Sequence, residues 1–161
     1  MTDTTRTPEY PDFAATEVPA DELSARAPRR IVVGVDGSFG ADAALRWAAA
    51  QARDRELVLD IVAVWEDLAG DRTAHDGYRE VARTRLQRAL ETLARRRDAP
   101  DQVFTAPLHG PPGQRLVERA QGAEMLVLGT TGISSPEIPG GISVYCLRHS
   151  SVPITFVPGR V

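Results

Sequence analysis

Two groups of small and polar residues stand where a phosphate or a ribose could be held. The apolar run Met125-Leu126-Val127-Leu128 ends in Gly129-Thr130-Thr131-Gly132, and a short loop leads through Gly140-Gly141-Ile142-Ser143 into Val144 to His149, a segment of helical pattern. Glycine lets a ligand approach the backbone with no Cβ in the way, and the first turn of the following helix leaves N–H groups pointing at any anion. The second group closes the apolar strand Ile31-Val32-Val33-Gly34-Val35 with Asp36-Gly37-Ser38, after which Ala41 to Ala52 reads as a helix. Two strand ends of one sheet, capped in this way, form the crevice in which α/β proteins bind ligands.

Other chemistry finds little support in the residue types. The 19 basic residues are all arginine, and the chain has neither lysine nor asparagine. Schiff-base catalysis and a Walker-type lysine on phosphate are therefore excluded, as is N-glycosylation. Ser38 lacks the Gly-x-Ser-x-Gly elbow and an identifiable base, so it reads as a helix cap rather than a nucleophile. His75, His109 and His149 fall in different segments without ligand spacing, so no metal site is expected. His149 is placed to meet the last carbonyls of its helix, and Cys146 reads as a small buried apolar residue.

The elements that must position the two strand ends alternate. After the first strand and its helix, whose inner face carries Ala41, Ala44, Leu45, Ala48 and Ala49 beside Trp47, a second strand runs from Leu57 to Trp65. A helix from Tyr78 to Arg97 follows, with Val81, Leu86, Ala89, Leu90 and Leu93 inward and its arginines on a solvated face. Val103 to Ala106 is a third strand, and His109-Gly110-Pro111-Pro112 turns into a helix with proline at its first position. Met125 to Gly129 and Val152 to Val157 are the fourth and fifth strands. Strands separated by helices imply right-handed parallel crossovers and a doubly wound, Rossmann-like sheet with helices on both faces.

Residues 1–28 hold six acids against two arginines, −4 within a total of −3, and show no usable periodicity. They are expected to be a disordered acidic arm ahead of a single α/β domain over 29–161. The near-neutral domain has no basic stripe for nucleic acid, and no apolar run reaches the length of a membrane span. One cysteine and an N-terminus too polar for a signal peptide point to the cytoplasm.

Four separated features resemble the universal stress protein family. They are Val33-Gly34-Val35-Asp36-Gly37-Ser38 with Ala43-Ala44-Leu45-Arg46-Trp47-Ala48; Gly110-Pro111 before an amphipathic helix; Leu126-Val127-Leu128-Gly129-Thr130-Thr131-Gly132; and Cys146-Leu147-Arg148-His149-Ser150-Ser151-Val152-Pro153-Ile154. The resemblance implies a single-domain, five-stranded parallel sheet of order 3-2-1-4-5 and a homodimer paired through Val152–Val157. It implies a stress-response binding and regulatory module with no evident catalysis, and in one branch of the family ATP binding. The alternatives are a working ATP or AMP sensor and, from another class, an ATP-using enzyme of related architecture.

The residues that would contact a nucleotide are Val35, Asp36, Gly37, Ser38, Val64, Gly129, Thr130, Gly132, Gly140, Gly141 and Ser143. Asp36 would meet the adenine and ribose end by resemblance, or else cap the local turn or helix. Val64 marks where a strand backbone meets adenine in relatives, or else is plain core. The phosphate loop departs from the family pattern. Seven residues separate Gly132 from Gly140 where the ATP-binding branch has nine, and Gly141 stands at the family's serine or threonine. The shortening removes up to about 7 Å of extended reach. Pro136 and Pro139 each remove a backbone donor, and Glu137 adds a negative charge near the phosphate. Ser143 is left as a substitute hydroxyl, and weak or absent binding of ATP or AMP is expected. Ala41 stands where relatives usually carry serine.

Overall fold

The computed structural model describes residues 10–23, 27–67, 75–96, 99–130 and 141–159. Among them six strands form one sheet: β1 (Ala14–Glu17), β2 (Arg30–Gly34), β3 (Val58–Trp65), β4 (Gln102–His109), β5 (Met125–Gly129) and β6 (Ile154–Val157). All neighbours are parallel, in the order β1-β4-β3-β2-β5-β6. The helices are α1 (Phe39–Asp54), α2 (His75–Arg96), α3 (Pro112–Ala120) and α4 (Gly141–His149).

A parallel sheet covered on both faces needs strands that are apolar on both sides. Alternation along β2 divides them. Ile31 and Val33 join Leu59 and Ile61 in a core closed by Ala44, Leu45, Leu86, Leu90 and Leu93 of α1 and α2. Val32 joins Val62, Leu126 and Leu128 in a second core closed by Leu116 and Ala120 of α3 and by Cys146 of α4. Burial pushes the Cys146 thiol up to about 11, which leaves it a neutral packing group. In α2 the inward expectation for Val81 is corrected. Val81 is 48% exposed and Ala82 takes its place in the core, because the buried stripe runs 82, 86, 89, 90 and 93.

The expected five-stranded sheet is also corrected. The five strands after Arg29 lie as β4-β3-β2-β5-β6, and β1 is added outside β4. It comes from the segment expected to be a disordered arm. Its own side chains bury little, so composition and periodicity carry no signal of it. What holds it is backbone pairing, with Ala14 N–H donating to the Asp101 carbonyl and Val18 N–H to that of Thr105, both at 2.9 Å. Phe13 is the anchor, 6% exposed and stacked on Tyr10 at 4.6 Å between ring centroids.

A buried charge cluster ties this segment to the sheet. Asp60, fully buried in β3, accepts two bonds from Arg119, from Nε at 2.7 Å and Nη2 at 2.9 Å. Arg119 also donates from Nη1 to the Val18 carbonyl at 2.8 Å. Arg30 Nε lies 3.5 Å from the same carboxylate, while its Nη2 donates to the carbonyls of Arg119 and Gln121. Burial pushes the Arg30 guanidinium below its ordinary value, and the Asp60 charge opposes that shift.

Candidate functional site

The C-terminal ends of the adjacent parallel strands β2 and β5, where the crevice is expected, are built largely by backbone. Past β2, Val35 N–H donates to the Val62 carbonyl at 2.9 Å, which carries the strand's line one residue further. Asp36 Oδ1 then accepts the Ser38 N–H at 2.9 Å, and Gly37 turns the chain at φ 84°. Ser38 Oγ accepts the Ala41 N–H at 3.1 Å and is the N-cap of α1. Asp36, half-buried, thus shapes the local turn.

Across the crevice, Gly129 has a packing reason to be glycine that needs no ligand. A Cβ there would lie 2.4 Å from the carbonyl carbon of Gly40 and 2.8 Å from the Ala41 nitrogen, so the first turn of α1 rests on β5 only because that carbon is missing. Thr130 is exposed, and its N–H donates to the Val157 carbonyl at 3.1 Å. Gly132, Pro136, Glu137, Pro139 and Gly140 lie outside the described residues. Gly141 opens α4 with free space where a Cβ would project. Ser143, expected to offer a hydroxyl, is a buried residue of the first turn of α4, at 9% exposure. Val64 is half-buried in β3 and packs on the second core. A cavity of about 800 Å³ lies elsewhere, lined by Glu17, Leu23, Arg30, Leu108, Arg119 and Gln121 and by none of the residues expected to contact a ligand.

One constellation escapes a reading of the sequence. β4 runs to His109, three residues beyond the expected end of that strand, and its register pairs His109 with Trp65 of β3. Asp67 follows two residues after Trp65, and His75 is the first residue of α2. The Asp67 carboxylate lies 3.0 Å from His75 Nδ1 and 3.1 Å from His109 Nε2. The histidines expected to be unrelated thus meet around one carboxylate. His149 stays apart and stacks on Tyr145, at 4.2 Å between ring centroids. The lost signal is one of distance along the chain: Asp67 and His109 are 42 positions apart, and only the register of two parallel strands closes the gap.

The fold and sequence have known counterparts. The profile of the Universal stress protein family matches residues 28–158. The chain belongs to the universal stress protein family. Universal stress protein Rv3134c of Mycobacterium tuberculosis (strain ATCC 25618 / H37Rv) is 32% identical over 111 residues, 67% of this chain and 40% of that protein. The chain therefore spans less than half the length of this curated relative. A crystal structure of a universal stress protein in complex with cAMP superimposes with a TM-score of 0.66 at 25% identity, covering 83% of this chain and 99% of the other. The universal stress protein of Archaeoglobus fulgidus in complex with dAMP has the same fold, with a TM-score of 0.62 at 24% identity over 80% of this chain and 97% of that one. Among the described residues, no helix is long and apolar enough to cross a membrane.

Proposed function

We propose that this universal stress protein is a cytoplasmic regulatory module that binds an adenine nucleotide at the β2–β5 crevice through a degenerate phosphate loop, without turning it over. The observation that carries the reading is the pair of strand ends. Asp36 and Gly129 close adjacent parallel strands at the carboxyl edge of the sheet, in a fold whose neighbour at 25% identity holds cAMP. The degenerate part rests on the seven-residue spacing from Gly132 to Gly140 and on Gly141 in place of a hydroxyl. Losing two or three charge-assisted phosphate contacts, at about 1.5–3 kcal/mol each, moves a micromolar site toward the millimolar range.

Calorimetry on the purified chain should therefore give tighter binding of AMP and cAMP than of ATP. Inserting two small residues in the loop together with Gly141→Ser should strengthen ATP binding, and the open space at Gly141 admits the new side chain. Low-micromolar ATP affinity in the unmodified protein would replace this reading with that of a working ATP sensor. Failure of every adenine nucleotide to bind would remove the nucleotide from the proposal altogether.

The same reading includes a homodimer through β6. Ile154, Thr155, Phe156 and Val157 are all half-buried on an edge strand, and the preceding α4 exposes Ile142, Val144, Tyr145 and Leu147. An apolar edge of this kind tends to pair. Sedimentation should show a dimer that Phe156→Asp converts to monomer. A monomeric parent, or a variant of unchanged dimer mass, counts against it.

A further inference from the structure

We propose that Asp67, His75 and His109 form a binding site for a divalent transition-metal ion of the zinc class. The three side chains come from three elements that the fold carries to one end of the sheet: the segment after β3, the start of α2 and the end of β4. One ligand atom from each lies within 4.8 Å of the other two. Zinc bonds of about 2.0–2.1 Å to imidazole and carboxylate place tetrahedral donors about 3.3 Å apart. The two pairs that the carboxylate makes, at 3.0 and 3.1 Å, are close to that spacing. The two imidazole nitrogens lie within 4.8 Å of each other and would have to close by up to about 1.5 Å, through rotation of the exposed side chains, for an ion to sit between all three.

The donor set selects the ion. Two imidazoles and one carboxylate suit zinc, copper, nickel or iron, whereas calcium and magnesium want oxygen ligands throughout. In the metal-free protein each imidazole N–H donates to a carboxylate oxygen, so protons occupy the positions that an ion would take. On binding, each neutral ring gives up that hydrogen to solvent and takes one up on its other nitrogen, so that His75 Nδ1 and His109 Nε2 present lone pairs to the metal with no net change in protons.

The rings are already held in place. Trp65 packs edge-on against His75 at 4.7 Å between centroids and tilted against His109 at 4.1 Å. The backbone of His109 is fixed by its place in the sheet, and its carbonyl accepts a bond from Arg115 Nε at 2.8 Å. The side chains of His75 and His109 remain about half exposed, at 46% and 49%. Three protein ligands with an open, wet face leave the remaining coordination to water, as in exchangeable and catalytic sites rather than closed structural ones. The site stands independently of the nucleotide reading. It lies at the ends of β3 and β4, while the crevice is formed by β2 and β5.

Trp65 supplies the readout. The chain has two tryptophans, so an untagged Trp47→Phe protein, stripped with chelator, reports on Trp65 alone. Titration with zinc by calorimetry should give one equivalent bound, copper(II) should quench Trp65 emission at the same stoichiometry, and magnesium should do neither. His75→Ala, His109→Ala and Asp67→Asn should each weaken zinc binding by about tenfold or more, with an unchanged circular dichroism spectrum because these side chains lie at the surface. Absence of a one-to-one zinc complex would reduce the trio to a hydrogen-bonded cluster and overturn the proposal. Zinc binding that survives both histidine substitutions would overturn it equally, by placing the ion elsewhere.

Discussion

Asp60→Leu is expected to cost about 3–5 kcal/mol of stability. The change leaves two guanidinium groups, those of Arg30 and Arg119, 2% and 3% exposed and without the anion that compensates them. In a chain of this size the loss corresponds to a fall of about 6–20 °C in the thermal midpoint. Chemical and thermal denaturation followed by circular dichroism would measure it. The cost belongs to the stranded charges, not to any large net gain from the ion pairs. The triple variant Arg30→Met, Asp60→Leu, Arg119→Met, which removes all three charges, should therefore be more stable than Asp60→Leu alone. A single variant within about 1 kcal/mol of the parent would show that water reaches the cluster and solvates the arginines.

The second large effect concerns the N-terminal segment. A chain beginning at Pro28 loses β1, exposes the outer edge of β4, removes Phe13 from the core and takes the Val18 carbonyl from Arg119. Deleting a buried phenylalanine side chain alone costs about 3 kcal/mol, so the truncation should lower the midpoint by at least about 6–12 °C. It should also raise the tendency to aggregate, because an unpaired strand edge is a template for pairing. Phe13→Ala in the full chain separates the contribution of the aromatic anchor from that of the strand. A truncated protein that melts within a degree or two of the parent would show that the segment adds nothing to the stability of the domain.

The sequence by itself determines what rests on local chemistry. Apolar runs such as Ile31-Val32-Val33 and Leu126-Val127-Leu128, closed by glycine and small polar residues, read as strands buried on both faces, and the helical stretches between them imply parallel crossovers. Ser38 is legible as a cap because the N–H it satisfies is three residues away. The two strand ends of the crevice are legible for the same reason, since each is one continuous stretch of chain. The tertiary structure alone decides whatever depends on partners far apart along the chain. β1 buries little of its own and is held by the free edge of β4. The need for glycine at 129 comes from the backbone of Gly40, and Arg119, which donates two bonds to Asp60, stands 59 positions away on α3. Asp67, His75 and His109 acquire a shared chemistry only when the register of β3 and β4 sets Trp65 beside His109. Hydrogen bonds and metal ligation act over a few ångströms, and periodicity records only which face of its own element a residue occupies. What that face meets is settled when the elements pack.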